Sequence, residues 1–317
     1  MKRRYLLSLA GASVTTSALS ANAQQPAMPR VGFLIAGDPE PMRTLFRAAM
    51  TDLGYHADRT VRYEERMAEP ASGRLPAMAA SLVELNVDVI VAVLTPAIAA
   101  ARQATARIPI VFNGGAPDTG MLTNFARPEG NLTGVWGATS AVAGKSVQLL
   151  HEIKPATRAL AMLLNAADPF YVPLQREIVA AGRAQNVEIV SRMLRGNDEL
   201  PAAYEEIARR GVDGVLVQPS LSLETAAALA AKHGLASVSF RREFVVAGGL
   251  MSLGADQTEI ARMMAAYVDK LLKGARPSDL PVQIPAKVEL IVNQKTARAL
   301  GLILSPMFLT RADEVIE

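Results

Sequence analysis

The residues that follow predicted strands are the part of this sequence best suited to binding chemistry. They are Gly37, Asp38, Thr95, Pro96, Asn113 and Gly114 in the first half of the chain, Asn165, Phe170, Gln218 and Arg241 in the second half, and Trp136 between them. Several of these segments lead into predicted helices, and the free amide groups and dipole of a helix N-terminus favour an anion. The pattern therefore predicts a site for a small organic solute, such as one that carries a carboxylate.

Thr95 is the strongest single candidate for a ligand contact. A predicted buried strand over residues 89–93 runs directly into Thr95 and Pro96. Proline suits the first turn of a helix because it needs no backbone donor there. The Thr95 hydroxyl and the amides after Pro96 can hold a carboxylate, and an ordinary helix cap is the alternative role for this threonine.

Charged and aromatic residues extend the candidate site. The run Arg241, Arg242 and Glu243 can pair with the charges of a zwitterion, and a position on the rim is the alternative. Trp136, Phe170 and Tyr171 can form an aromatic wall, whereas packing in the core or the hinge is the competing role for each. Together these residues favour an amino acid or a related carboxylate as the ligand.

The sequence shows no pattern that supports catalysis, a metal or a cofactor. The three histidines, His56, His151 and His233, are not paired at metal-ligand spacing, and the chain has no cysteine. Residues 143–146 read AGKS, like the end of a phosphate-binding loop, but the glycine that such a loop needs at position 139 is a threonine. We therefore predict no catalytic residues, no metal ligands and no cofactor.

Short apolar runs alternate with helical patterns along most of the chain. The predicted strands include residues 31–35, 60–65, 89–93, 108–112, 132–136, 159–164, 187–193, 214–217, 236–240 and 288–293. Most segments between them show helical spacing, which is typical of βαβ units and a parallel sheet. The fold class is therefore α/β. Residues 246–253, with Gly248 and Gly249, are predicted to cross between two parts of the molecule.

Two halves of the chain repeat one sequence pattern. Asp38-Pro39 follows the first predicted strand and recurs 130 residues later as Asp168-Pro169. Asp88 precedes a later predicted strand and recurs 125 residues later as Asp213. Because the two matches are nearly in register, they predict two duplicated lobes.

The predicted lobes exchange segments of the chain. We assign residues 28–137, with about 255–285, to an N-terminal lobe and residues 138–254, with about 286–317, to a C-terminal lobe. Three connections then pass between the lobes, near residues 134–138, 248–254 and 281–285. A hinge of this kind allows two lobes to close around a ligand.

The first 23 residues have the features of a signal peptide. Lys2, Arg3 and Arg4 precede an apolar run over residues 6–19 and an Ala-Asn-Ala cleavage motif at 21–23. Without this segment the chain has 30 basic and 30 acidic residues, a balance that does not favour nucleic-acid binding. Because there is no cysteine to carry a lipid anchor, we expect a soluble monomer in the periplasm and not a lipoprotein.

A series of short motifs resembles one protein family. The motifs are TPA at 95–97, IPIVF at 108–112, ARPEGNLTG at 126–134, GGLMS at 248–252, LLKG at 271–274, DLP at 279–281, NQKTA at 293–297 and ADEVI at 312–316. In this order they resemble the periplasmic substrate-binding proteins of ABC importers, in the group that includes tryptophan and other aromatic amino-acid receptors. The resemblance covers essentially all of the chain after the predicted signal peptide.

The resemblance implies a two-lobed type I periplasmic-binding-protein fold, in which each lobe is a parallel sheet flanked by helices. It implies ligand capture by lobe closure and delivery to permease subunits in the inner membrane. Two departures from the family pattern concern the ligand. The loop after Phe112 reads Gly115-Ala116-Pro117-Asp118 where Asp-Pro is usual, and Leu253 replaces the tyrosine that usually follows Met-Ser. These departures leave the choice between aromatic and other amino acids open.

Two other functions stay open at this point. A ligand-sensing subunit of a membrane sensor kinase or chemoreceptor would use the same closed form. An exported α/β enzyme would need a nucleophile, a base or a metal set, and the residue spacing shows none of these.

Overall fold

The computed structural model describes residues 28–38, 40–69 and 73–317. The predicted signal peptide, residues 1–23, lies outside the described residues.

Strands and helices alternate along most of the described chain. The strands are β1 (Arg30–Ala36), β2 (Arg62–Ala68), β3 (Val89–Val93), β4 (Ile110–Asn113), β5 (Leu132–Val135), β6 (Ala159–Asn165), β7 (Glu188–Leu194), β8 (Gly214–Val217), β9 (Ala236–Ser239), β10 (Met251–Ala255), β11 (Val288–Asn293) and β12 (Glu314–Ile316). The α-helices are α1 (Met42–Asp52), α2 (Leu75–Glu84), α3 (Thr95–Ala104), α4 (Thr139–Ile153), α5 (Tyr171–Ala184), α6 (Leu200–Arg209), α7 (Leu223–Lys232), α8 (Arg242–Val246), α9 (Gln257–Leu272), α10 (Gln294–Ala299) and α11 (Pro306–Leu309).

The first lobe is built on a parallel sheet with the strand order β2-β1-β3-β4-β5. Successive side chains of β1 point to opposite faces, as the pleat of a strand requires. Phe33 and Ile35 pack with α1 and α9, whereas Leu34 and Ala36 pack with α2 and α3. The first lobe therefore has helices on both faces of its sheet, and one of these helices, α9, comes from the C-terminal part of the chain.

The second lobe contains a seven-stranded sheet with the order β12-β11-β10-β9-β8-β6-β7. β10 and β11 pair antiparallel, and the other neighbouring strands pair parallel. Leu160 and Leu164 of β6 pack with α4 and α5, and Ala161 and Leu163 pack with α6 and α7 on the opposite face. The second lobe thus follows the same layer arrangement as the first.

The duplication predicted from the sequence is confirmed by the strand order. The order β2-β1-β3-β4 in the first sheet recurs as β7-β6-β8-β9 in the second. Asp88 accepts a hydrogen bond of 2.7 Å from the backbone N–H of Arg30, and Asp213 accepts one of 2.7 Å from that of Arg158. The two aspartates thus fix the start of the equivalent strands β1 and β6.

Three connections join the lobes, and the second differs from the predicted one. Residues 248–254 do not cross, because Met251–Ala255 forms β10 within the second sheet. Gly254 allows this strand to pack closely, since a Cβ atom at this position would lie 2.2 Å from the carbonyl oxygen of Phe240. The crossing follows at Asp256, between β10 and α9. The first connection passes through residues 136–138, and the third passes through the segment after Gln283. The backbone of Gln283 itself pairs with Gly134 and Trp136.

The pairing of Asp213 generates a prediction about acid stability. Hydrogen bonds from Arg158, Ala159 and Lys154 hold the pKa of the Asp213 carboxyl below its ordinary value of 3.8, although partial burial opposes them. A depressed pKa stabilises the fold above that ordinary value, and the contribution is lost as the pH falls through the folded-state pKa. We expect Asp213→Asn to lower the free energy of unfolding by about 1 kcal/mol at neutral pH.

Urea denaturation at several pH values down to about pH 3 checks this expectation. The difference between the wild type and Asp213→Asn should shrink as the pH falls. Asp198→Asn, a change at an exposed aspartate, serves as the matched control and should have no effect. A difference that persists unchanged at the lowest pH contradicts the assigned role.

Candidate ligand-binding cleft

The carboxyl ends of the parallel strands of both sheets open onto one pocket, which we call the cleft pocket. Its volume is about 50 Å³. The first lobe contributes Leu94, Thr95, Asn113, Gly114, Gly115, Asp118 and Ile260, the second lobe contributes Thr139, Asp168, Phe170, Pro219, Phe240 and Arg241, and Trp136, Gly137, Ala138, Ala255 and Gln257 lie at the connections between them. Ligands of open α/β sheets bind at this edge, outside the carboxyl ends of the strands.

Thr95 lines the pocket but does not cap its helix. The N-cap of α3 is Leu94, and the Thr95 hydroxyl instead accepts a hydrogen bond of 3.2 Å from the backbone N–H of Gly115. Leu94 turns the chain from β3 into α3 with φ 69° and ψ 152°. A non-glycine residue rarely adopts this conformation, and such strain concentrates at functional sites. The Thr95 side chain therefore joins the loops that follow β3 and β4.

Asp118 connects the first lobe to the start of α4. Its carboxylate accepts a hydrogen bond of 2.7 Å from Nε1–H of Trp136 and a second hydrogen bond from the hydroxyl of Ser140. The N-cap of α4, Ala138, has a left-handed conformation with φ 49°, and no side chain of its own caps the helix. The N-terminus of this 15-residue helix therefore borders the cleft pocket at Ala138 and Thr139.

Asp168 is a buried carboxylate on the second-lobe side of the pocket. Its side chain is 2% exposed and accepts hydrogen bonds from the backbone N–H of Phe170 at 3.0 Å and from Nε2–H of Gln218 at 2.9 Å. No lysine, arginine or histidine among the described residues forms an ion pair with it. Burial raises the pKa of the Asp168 carboxyl, and the hydrogen bonds from Phe170 and Gln218 offset that rise only in part.

Arg241 places a cation on the same side of the pocket. Its side chain is 10% exposed, and its Nε lies 3.3 Å from a carboxylate oxygen of Glu243. A guanidinium has five N–H donors, so its other nitrogens stay available to a ligand. The neighbouring Arg242 points elsewhere and forms a two-point ion pair with Glu314.

Phe170 closes the pocket against the first lobe. A Cβ atom built on Gly115 would lie 2.4 Å from Cδ2 of Phe170 and 3.1 Å from Oγ1 of Thr95. Only a residue without a side chain fits beneath the Phe170 ring in this arrangement. Gly115 therefore permits a direct contact between the two lobes.

The structure places six of the predicted site residues in the pocket lining and five outside it. The six are Thr95, Asn113, Gly114, Trp136, Phe170 and Arg241. Asn165 and Gln218 lie behind the lining: Gln218 accepts from the Asn165 N–H and donates to Asp168. Pro96 is buried in the first turn of α3.

Gly37 and Asp38 also lie outside the lining. Gly37 donates its backbone N–H to the carbonyl of Ala68, and exposed Asp38 accepts from the N–H of Glu40. The segment that follows β1 thus stays hydrogen-bonded to the end of β2, and the chain then turns Asp38 towards solvent. The equivalent loop after β6 instead turns Asp168 inwards.

Sequence reasoning missed Asp168, Asp118 and Gly115 as lining residues. Asp168 was visible as the second copy of the Asp-Pro repeat, and Asp118 closes the Gly-rich segment after β4. Nothing in the residue types distinguishes the buried Asp168 from the exposed Asp38, because both precede a proline at the end of a strand.

A search of the described residues for groups of three or more His, Cys, Asp or Glu side chains that could hold a metal ion finds none. Within the same residues, every helix is too short or too polar to cross a membrane.

Comparisons with known proteins agree with this architecture. The family model for ABC transporter substrate binding proteins matches residues 41–316. A tyrosine-binding protein from Clostridioides difficile (strain R20291) is 22% identical over 264 residues, which are 81% of this chain and 75% of that protein. A solved structure of a conserved domain protein from Vibrio cholerae is similar to this chain, with a TM-score of 0.83 at 22% identity. The match covers 91% of this chain and 99% of that chain.

A further solved structure, an ABC domain from Streptococcus pneumoniae in complex with L-tryptophan, has a TM-score of 0.81 at 21% identity, with 91% of this chain and 99% of that chain covered. Two lobes with a shared pocket define a binding protein of the type I periplasmic-binding-protein fold. The chain belongs to the family of ABC transporter substrate-binding proteins.

The contact between Gly115 and Phe170 generates a prediction about lobe closure. Gly115→Ala introduces a Cβ atom 2.4 Å from the Phe170 ring, a distance that packed atoms do not tolerate. We expect the lobes of this variant to separate, which small-angle X-ray scattering detects as a larger radius of gyration.

Gly137→Ala is the matched control, because a Cβ atom there meets its nearest neighbour at 3.8 Å. This variant should scatter like the wild type. If Gly115→Ala also scatters like the wild type, the contact does not limit the angle between the lobes.

Proposed function

We propose that this protein is a periplasmic receptor that captures an amino acid or a related zwitterionic carboxylate in the cleft pocket and delivers it to the permease of an ABC importer. It performs no catalysis itself. The observation that best supports the proposal is the buried carboxylate of Asp168, which faces the pocket and forms no ion pair with a lysine, arginine or histidine among the described residues.

An ammonium group is the ligand part that suits Asp168. A buried charge is costly unless it is paired, and an ionised carboxylate offers about four acceptor positions. Hydrogen bonds from the Phe170 N–H and the Gln218 amide use part of this capacity. Both donors are neutral, so the negative charge is left for a ligand cation. An α-ammonium group supplies that charge together with three donors.

A carboxylate is the ligand part that suits Arg241 and the helix end beside it. The guanidinium of Arg241 has nitrogens beyond the one paired with Glu243, and it can hold a carboxylate in a two-point contact. The N-terminus of α4 borders the same pocket and also favours an anion. Asn113 adds an amide side chain that has no hydrogen-bond partner among the described residues.

The distribution of these groups favours a capture sequence. Asp168 and Arg241 both belong to the second lobe, whereas Thr95, Asn113 and Gly115 belong to the first. A zwitterion can therefore bind the charges of the second lobe and be enclosed when the first lobe closes on it. The ligand shifts the equilibrium towards the closed form by its additional contacts there.

The relatives support an amino-acid ligand and an importer partner. One is named for tyrosine binding, and another was solved with L-tryptophan. The family is that of ABC transporter substrate-binding proteins, which supports delivery to permease subunits in the inner membrane. The predicted signal peptide supports a periplasmic location, and we propose that the protein acts there as a monomer.

A ligand screen tests the proposal. Thermal shift of the purified protein is measured with each proteinogenic amino acid and with simple carboxylates and amines, because a ligand that binds only the folded state raises the melting temperature. Hits are confirmed by isothermal titration calorimetry. Binding of a zwitterion and none of its deaminated or decarboxylated analogues is expected, and the absence of any amino-acid hit contradicts the proposal.

Asp168→Asn tests the ammonium contact. The substitution keeps the shape of the side chain but removes its charge, so we expect the affinity for the amino acid to fall at least about tenfold. Asp52→Asn, at an exposed aspartate at the end of α1, is the control and should bind like the wild type. Equal affinity of the wild type and Asp168→Asn in calorimetry rules out this contact.

The raised pKa of Asp168 also predicts a pH dependence. Only the ionised carboxylate attracts an ammonium group, and protonation sets in at a higher pH than for an ordinary aspartate, whose pKa is 3.8. The affinity should therefore be constant at high pH and fall as the pH decreases through the raised pKa. Calorimetry between about pH 4 and pH 8 measures this profile. An affinity that stays constant down to the lowest pH contradicts it.

A further inference from the structure

We propose that Phe170 limits the size of the ligand and that this receptor is selective for an amino acid with a small side chain over tyrosine and tryptophan. The inference rests on the proposed function, because it concerns which zwitterion the same pocket accepts. It is carried by the position of the Phe170 ring and by the volume that remains beside it.

The Phe170 ring lies across the cleft, between the two lobes. It is 7% exposed and belongs to the apolar core of the second lobe, while its edge contacts Gly115 of the first lobe. Its backbone N–H is fixed by the hydrogen bond to Asp168. The Asp168 carboxylate, which is proposed to bind the ligand ammonium, therefore also holds Phe170 in place. The Phe170 ring thus occupies space next to the ammonium end of the ligand.

The remaining volume fits a compact ligand. A pocket of about 50 Å³ accommodates roughly three to five water molecules by the same measure. Trp136 restricts the pocket further, because a hydrogen bond to Asp118 holds the Trp136 indole in place. An indole or phenol side chain on the ligand would have to displace the Phe170 ring and the contact with Gly115.

The chain thus supplies its own aromatic ring at the place where an aromatic ligand would need room. Removal of that ring should extend the pocket towards Gly115, since a Cβ atom on Gly115 would lie 2.4 Å from the ring. The expected consequence is a change of specificity and not a loss of binding, because Asp168 and Arg241 keep their positions.

Calorimetry of the full purified protein with glycine, L-alanine, L-serine, L-tyrosine and L-tryptophan tests the inference. For the wild type we expect at least one of the small amino acids to bind about tenfold or more tightly than tyrosine and tryptophan. For Phe170→Ala we expect the affinity for tyrosine or tryptophan to rise about tenfold or more relative to the wild type. Phe170→Leu, which retains more of the core packing, should give a smaller change in the same direction.

Tyr171→Ala is the matched control, since this half-buried aromatic residue packs on the same core and does not line the pocket. It should leave the order of affinities unchanged. Circular dichroism establishes that each variant is folded before it is titrated.

The outcomes separate the two proposals. If the wild type binds tyrosine or tryptophan as tightly as any small amino acid, the amino-acid function stands and the size limit is overturned. The size limit is also overturned if folded Phe170→Ala and Phe170→Leu both fail to gain affinity for the aromatic ligands. If the wild type binds no amino acid at all, the proposed function fails, and this inference fails with it.

Discussion

Parallel strand pairing is the constraint on which the rest of this structure depends. In each lobe the parallel strands end at the same edge, and the two edges face each other across one cleft. Helix N-termini follow these strand ends, so unpaired amide groups and short polar side chains collect there. The remaining surfaces of both sheets are covered by apolar helix faces, which form separate cores in the two lobes. The cleft pocket and the stable cores thus follow from one topology.

The two lobes share a topology but place different charged side chains at the cleft pocket. Asp88 and Asp213 fix equivalent strands in the two lobes, and both retain a structural role. Asp38 and Asp168 also occupy equivalent positions in the sequence, yet one is exposed and the other is buried at the pocket. Asp168 and Arg241, the charged groups proposed to contact a ligand, therefore both lie on the second lobe. The charged residue that the first lobe contributes to the lining, Asp118, accepts hydrogen bonds from Trp136 and Ser140. The rest of the first-lobe lining is neutral and includes a glycine surface that the second lobe can approach closely.

Backbone strain is present where the pocket meets the connections between lobes. Leu94 and Ala138 both have a positive φ, and both line the pocket. Each is the residue at which the chain turns into a helix, α3 or α4, and neighbouring groups hold it there. The N–H of Leu94, for example, donates to the carbonyl of Asn113. Such conformations cost roughly 1–3 kcal/mol each, and tertiary packing maintains them. The strained turns place two helix N-termini at the cleft pocket.

The sequence by itself determined the α/β class, the two duplicated lobes and the family, because apolar periodicity, a repeated Asp pattern and ordered motifs are local properties of the chain. It also identified strand ends that line the cleft pocket. Only the tertiary structure decided that Met251–Ala255 is a strand and not a crossing, that Thr95 binds the β4 loop, and that Asp168 is buried while Asp38 is exposed. These outcomes depend on which segments from distant parts of the chain pack together, and no local pattern encodes that.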